Sequence, residues 1–112
     1  MTTYFERDDF KKFSGDALGA LNPEIWEKFM GFYGEANAEG ALTAREKALI
    51  GLSAAAALEC AYCIDAYTNK LLNMGLDGEA IMEVFYVAAS IHSGACMAHG
   101  LQALNYIEDA EF

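Results

Sequence analysis

TAREKALIGLSAAAALECAYCIDAYTNKLLNMG, residues 43–75, reads as two helices with a hinge between them. Thr43 and Glu46 have the spacing of a capping box, in which the threonine oxygen accepts from the Glu46 backbone N–H and the glutamate reaches back to the Thr43 N–H. The helix opened there runs through Leu58 and is rich in Ala and Leu, the strongest helix formers. Its alanines Ala54 to Ala57 predict close contact with neighbours all round, as in a central buried helix. After Glu59 and Cys60 a second helix runs to Met74, with Gly75 as a left-handed terminator.

Working outward, the same start and stop signals recur. Asp8 to Leu21 is a short amphipathic beginning with Phe10 and Phe13 on one side and breaks at Gly15 and Gly19. Asn22-Pro23 is an N-cap followed by proline at the first helical position, where its missing N–H costs nothing. The helix it starts carries Trp26, Phe29, Met30 and Tyr33 at helical spacing and ends near Ala38 to Gly40. Downstream, Asp77 caps a helix with Ile81, Val84, Phe85, Ala88 and Ile91 on one stripe. Ser93-Gly94 is expected to break or kink it, and a last helix from about Ala95 to Glu108 turns Met97, Leu101 and Leu104 inward. With one proline and few β-branched residues, the expectation is one all-α domain over residues 1–112, a compact bundle of five or six helices.

Composition narrows the function. A formal charge of -10 with seven Lys and Arg in all disfavours nucleic acid and an anionic membrane surface. Met1 to Asp9 has early acidic residues and no apolar core, unlike a signal peptide. Ala48 to Leu58 reads as the longest nearly uncharged apolar run, and it falls short of the about 20 residues that span a bilayer. These features predict a cytoplasmic protein. Hydrophobic residues make up 54% of a short chain, so part of the apolar surface is expected in a subunit interface.

Three cysteines without a secretion signal do not make a structural disulfide framework, and a C-x-x-C pair in a reducing compartment is catalytic or metal-binding. Cys60 and Cys63 stand at a helix start, where unpaired N–H groups and the helix dipole stabilise a thiolate and lower its pKa below about 8.5. The alternative is two small apolar residues packed in an alanine-rich core. Glu59 adjoins Cys60 and is a candidate base, or a solvated residue at a helix start. Tyr67 shares a helical face with Cys63 and is a candidate hydrogen-bond partner for the thiolate, or an ordinary half-buried aromatic. His99 is a candidate proton carrier if the last helix packs over the cysteines, or a histidine satisfied at a helix contact. His92, Cys96 and His99 would form a metal-ligand stripe only on an unbroken helix, and Cys96 is read as structural or inert. The aromatic segment with Trp26, Phe29, Phe32 and Tyr33 is read as packing rather than a substrate channel.

From Leu42 to Met74, the run Leu-Thr-x-Arg-Glu, a small-residue helix, then Cys-Ala-Tyr-Cys-Ile-Asp-Ala-Tyr and a helix ending Met-Gly, resembles the alkylhydroperoxidase D and carboxymuconolactone decarboxylase family. The similarity extends weakly through Glu79 to Gly100 and is greatest to a peroxidase-like subgroup associated with arsenosugar biosynthesis. The resemblance implies an all-α fold assembling into trimers or hexamers, a hydroperoxide substrate, an external dithiol reductant and no bound cofactor. It implies that Cys63 reacts with peroxide and Cys60 resolves. Two positions depart from the family's peroxidase motif. Tyr67 stands where the motif has a histidine, and Ala48 stands near the position of its glutamate, with Glu46 two residues away and facing the opposite side. The expectation is therefore a thiol-dependent peroxidase-like oxidoreductase with Cys60, Cys63, Glu59, Tyr67 and His99 as site residues. Two other readings stay open: a non-redox protein holding a small ligand or an arsenic species on vicinal thiols, and a zinc site of Cys60, Cys63 and one or two histidines.

Overall fold

A computed structural model of the protein describes residues 5–110. Five helices follow one another and no strand occurs among the described residues: a 3-10 helix, Arg7–Lys12, then α1 (Pro23–Asn37), α2 (Ala44–Leu58), α3 (Ala61–Asn73) and α4 (Gly78–Ala110). The all-α architecture expected from the caps is the one observed.

Most boundaries fall where the local chemistry puts them. The capping box is complete: the Glu46 N–H donates to Thr43 Oγ1 at 3.0 Å and the Thr43 N–H to Glu46 Oε1 at 2.8 Å. The Thr43 N–H foremost, and after it the Thr43 hydroxyl, hold the Glu46 carboxyl below its ordinary pKa. Met74 caps α3 and Gly75 turns the chain at φ +91, a conformation that costs glycine nothing. Asp77 Oδ1 accepts the Ala80 N–H at 2.9 Å and starts α4. Pro23 occupies the first turn of α1, although the Asn22 side chain makes no capping bond.

Ala48 and Leu52 of α2, Leu71 of α3, Leu76 of the following turn and Ile81 of α4 form the buried cluster, with Leu49, Ile64, Tyr67, Val84 and Phe85 packed against it. Helix α2 lies between α3 and α4, and α1 touches it more lightly. It is central, but not buried on all sides as its alanines suggested. Ala48 and Ala55 are enclosed, whereas Ala54, Ala57 and Ile50 are exposed in the single chain.

The largest departure from expectation is α4. Ser93-Gly94 neither breaks nor kinks it; the helix is continuous from Gly78 to Ala110. One glycine costs a helix about 1 kcal/mol relative to alanine. Gly94 is flanked by helix-compatible residues, with no proline and no left-handed backbone there to stop the ladder. Ile81 and Ala88 are buried and Val84 and Phe85 half-buried, but from Ile91 onward every described residue is exposed. Met97, Leu101 and Leu104, expected to face inward, point to solvent in the single chain.

Continuity also corrects the reading of apolar runs. Between Glu83 and Glu108 there is no Asp, Glu, Lys or Arg, so Ala48 to Leu58 is not the longest uncharged stretch. By length and composition α4 would suffice to cross a bilayer, with a mean hydropathy of 1.3 in its most apolar window.

The opening segment is not one amphipathic unit. Phe10 packs edge-on against Tyr62 of α3 at 5.3 Å, and Phe13 against Trp26 of α1 at 5.2 Å. The two rings expected on one side thus bridge two different helices.

Candidate active site at the start of the third helix

The site is built by a reversal of chain direction that uses almost no loop. Glu59 ends α2 in the left-handed conformation, φ 56 and ψ 42, and its N–H returns to the carbonyls of Ala55 and Ala56. The next residue, Cys60, sends its N–H to the Ala55 carbonyl at 3.0 Å and is already the N-cap of α3. A left-handed residue other than glycine costs about 1 kcal/mol or more. Here it places Cys60 at the head of a helix.

Cys60 Sγ accepts the Cys63 N–H at 3.3 Å. The sulfur thus occupies the position a serine or aspartate oxygen takes in an ordinary N-cap. A cap of this kind favours negative charge on the sulfur, through the hydrogen bond and the positive end of the helix dipole. Cys63 lies one turn on, with Cα atoms 5.3 Å apart, and the two sulfurs are paired as a disulfide. Both cysteines are half-buried. The arrangement lets one pair hold a thiolate or close a ring with little movement of the backbone.

Tyr67 is oriented away from a free role. Its hydroxyl donates to Asn37 Oδ1 at 3.0 Å and lies 2.7 Å from the Tyr33 hydroxyl, both on α1. Burial, then the Tyr33 hydrogen bond and charge, push its pKa up to about 12. A phenol so raised stays protonated near neutrality and does not act as a base there. Its ring lies against Gly51 of α2, where an added Cβ would meet ring carbon at 2.6 Å. Tyr33 and Asn37 were not read as site residues; their one signal is a spacing of four that sets both on one face of α1.

Glu59 is exposed at the junction, as a helix C-cap and not the helix start that sequence suggested. His99 lies in the exposed distal half of α4 and does not pack over the cysteines of its own chain. His92, Cys96 and His99 do share one continuous helix. Even so, no group of three His, Cys, Asp or Glu side chains among the described residues is placed to hold a metal ion.

The opening segment is the feature that sequence reasoning missed. Tyr62, between the two cysteines, is met by Phe5 at 4.8 Å as well as by Phe10, and its hydroxyl accepts the Glu6 N–H at 3.1 Å. Arg7 Nε pairs with Asp65 Oδ2 at 3.0 Å. These contacts tie residues 5–10 to the first turns of α3, and no periodicity in the sequence announces them.

Comparison with known proteins agrees with the helical scaffold. The model of the carboxymuconolactone decarboxylase family matches residues 23–106. The chain is 35% identical over 74 residues to uncharacterized protein 4 in the cox locus of Paracoccus denitrificans, covering 66% of this chain and 67% of that one. A crystal structure from Methanobacterium thermoautotrophicum superposes with a TM-score of 0.72 at 31% identity, covering 75% of this chain and 94% of that one. A carboxymuconolactone decarboxylase family protein from Legionella pneumophila superposes with a TM-score of 0.59 at 25% identity, covering 91% and 96% of the two chains. With a match that spans α1 to most of α4, the chain belongs to the carboxymuconolactone decarboxylase family, which includes alkylhydroperoxidase-like members.

Proposed function

We propose that the protein is a thiol-dependent peroxidase-like oxidoreductase that reduces hydroperoxides through a Cys60–Cys63 disulfide cycle. The observation that carries this reading is the pair itself: a cysteine N-cap whose sulfur accepts the Cys63 N–H, with the second thiol one turn away and the two sulfurs paired.

In the first half of the cycle the Cys63 thiolate attacks the terminal peroxide oxygen, the O–O bond breaks, and the alkoxide leaves as the alcohol after taking a proton. Cys63 is then a sulfenic acid. The Cys60 thiolate, favoured by its N-cap bond, attacks the Cys63 sulfur; the S–S bond forms and hydroxide leaves as water after protonation. An external dithiol returns both cysteines to thiols and is itself oxidised to a disulfide.

The proton for the leaving oxygens comes from solvent, or is the Cys60 thiol proton taken up and passed on by Glu59, the exposed carboxylate next to Cys60 in the chain. Tyr67 holds α3 against α1. His99 takes part only if another copy brings it to the site. The proposal includes a homo-oligomer, a trimer or hexamer, and a cytoplasmic setting where dithiol reductants are supplied.

Kinetics of hydroperoxide consumption with a dithiol reductant test the reading. Cys63→Ser is expected to abolish turnover, and Cys60→Ser to leave one equivalent of a sulfenic acid trappable with a dimedone-type reagent. Full activity in Cys63→Ser would overturn it.

A further inference from the structure

Tyr62 lies inside the ring that the Cys60–Cys63 disulfide closes, and the opening segment is fastened to it. Phe5 and Phe10 meet its ring edge-on at 4.8 and 5.3 Å, and its hydroxyl accepts the Glu6 N–H at 3.1 Å. One turn on, the Asp65 carboxylate, with a side chain only 15% exposed, takes Arg7 Nε at 3.0 Å and the Asn69 amide at 2.6 Å. Phe13 against Trp26 holds the other end of the segment to α1. The segment is thus a strap with one end on α1 and the other on the turn that carries the redox pair.

The first N–H groups of a helix have no intrahelical partner, which makes a first turn the place where a helix frays. Besides the ladder bonds of its carbonyls, this turn is held by the Ile64 N–H on the Cys60 carbonyl at 2.9 Å, by the Cys63 N–H on Cys60 Sγ at 3.3 Å, and by the disulfide. Reduction by an external dithiol breaks the S–S bond: two electrons and two protons convert the pair to two thiols, and the dithiol becomes a disulfide. The covalent tie is then gone, and conformations that a closed ring denies to Ala61 and Tyr62 become available. The ring contacts and the Glu6 bond all require one orientation of Tyr62, so they weaken with it.

We propose that residues 5–12 are a redox-coupled strap, docked on Tyr62 and Asp65 while the Cys60–Cys63 disulfide is closed and loosened when the pair is reduced. This rests on the peroxidase reading above for its physiological role and adds a regulation of the same site. Linkage makes the effect reciprocal. A strap that docks more tightly on the disulfide form stabilises that form, and so lowers the potential at which the pair is reduced.

Amide hydrogen exchange of the full-length protein, read in the disulfide form and in dithiothreitol, tests the coupling. The reporters are the Glu6 N–H, bonded to Tyr62, and the Asp9 N–H, bonded to the Glu6 carbonyl at 2.9 Å. Both are expected to exchange about tenfold faster in the reduced protein, with amides in the middle of α2 unchanged. The same tenfold preference corresponds to about 30 mV, so Arg7→Ala with Phe10→Ala should raise the reduction potential of the pair by up to that amount. Lys11→Ala, exposed and outside these contacts, should leave the potential where it is. Equal exchange in the two states, or a potential unmoved in the double variant, would overturn the coupling and leave the peroxidase reading intact. Coupling seen in both measurements without hydroperoxide turnover would uphold the strap and remove the peroxidase reading. A pair that forms no reversible disulfide would remove both.

Discussion

Tyr67 shows what a single position decides in this site. It occupies the place where the family's peroxidase motif has a histidine, and the fold uses it differently, joining its hydroxyl to Tyr33 and Asn37 across α1 and α3. Because the folded-state pKa, about 12, lies above the unfolded value of about 10, the protonated form is favoured in the fold. Its contribution to stability is full below pH 10 and is lost as pH rises toward 12. Thermal melts from pH 7 to 12 should show that loss in the wild type and a shallower one in Tyr67→Phe, which should also be less stable at pH 7 by about 1 kcal/mol. An unchanged alkaline profile would contradict the assignment. The helical spacing of Tyr67 from Cys63 was legible in the sequence, as was its half-burial. Its partners were not, since they stand 34 and 30 residues away and nothing local pairs them.

The helices were legible at their ends more than along their lengths. Thr43 with Glu46, Pro23, Gly75 and Asp77 each mark a boundary through a backbone group that must be satisfied or a turn that must be made, and the boundaries fall there. Ser93-Gly94 misled because a glycine inside a helix and a glycine ending one look alike in sequence. What separates them is the backbone conformation, and only Gly75 among the described glycines has positive φ. The placement of the opening 3-10 helix was illegible for another reason: its fixing contacts are to Tyr62 and Asp65, far along the chain. Continuity of α4 predicts that Gly94→Ala raises stability, by up to about 1 kcal/mol, seen as a higher melting temperature. A kink at that position would make the same substitution destabilising.

At the scale of the whole molecule the chain is extended, with a radius of gyration of 19.1 Å against about 13 Å for a compact domain of this length. Its accessible surface, 8726 Å², likewise exceeds the roughly 6,000 Å² of a typical monomer of this mass. Much of the surplus is apolar: Ile91, Met97, Leu101, Leu104 and Ile107 on distal α4 and Ile50 on α2 are exposed. The apolar excess was visible in composition; where it would lie was not, because the expected break in α4 folded that face inward. Light scattering at micromolar concentration should give three or six times 12.2 kDa, and Leu101→Asp with Leu104→Asp should shift the population to smaller species. A wild-type monomer would contradict the proposed assembly.

The central claim is that Cys60 and Cys63 form a reversible redox pair. The direct measurement is a redox titration of the folded protein across a glutathione or dithiothreitol series, with thiol alkylation and mass spectrometry to count Cys60 and Cys63 in each state. One two-electron transition linking those two residues is expected, at roughly -120 to -270 mV, with Cys96 remaining alkylatable throughout. A pair that stays reduced under strong oxidation in folded protein, or that oxidises without linking Cys60 to Cys63, would contradict it.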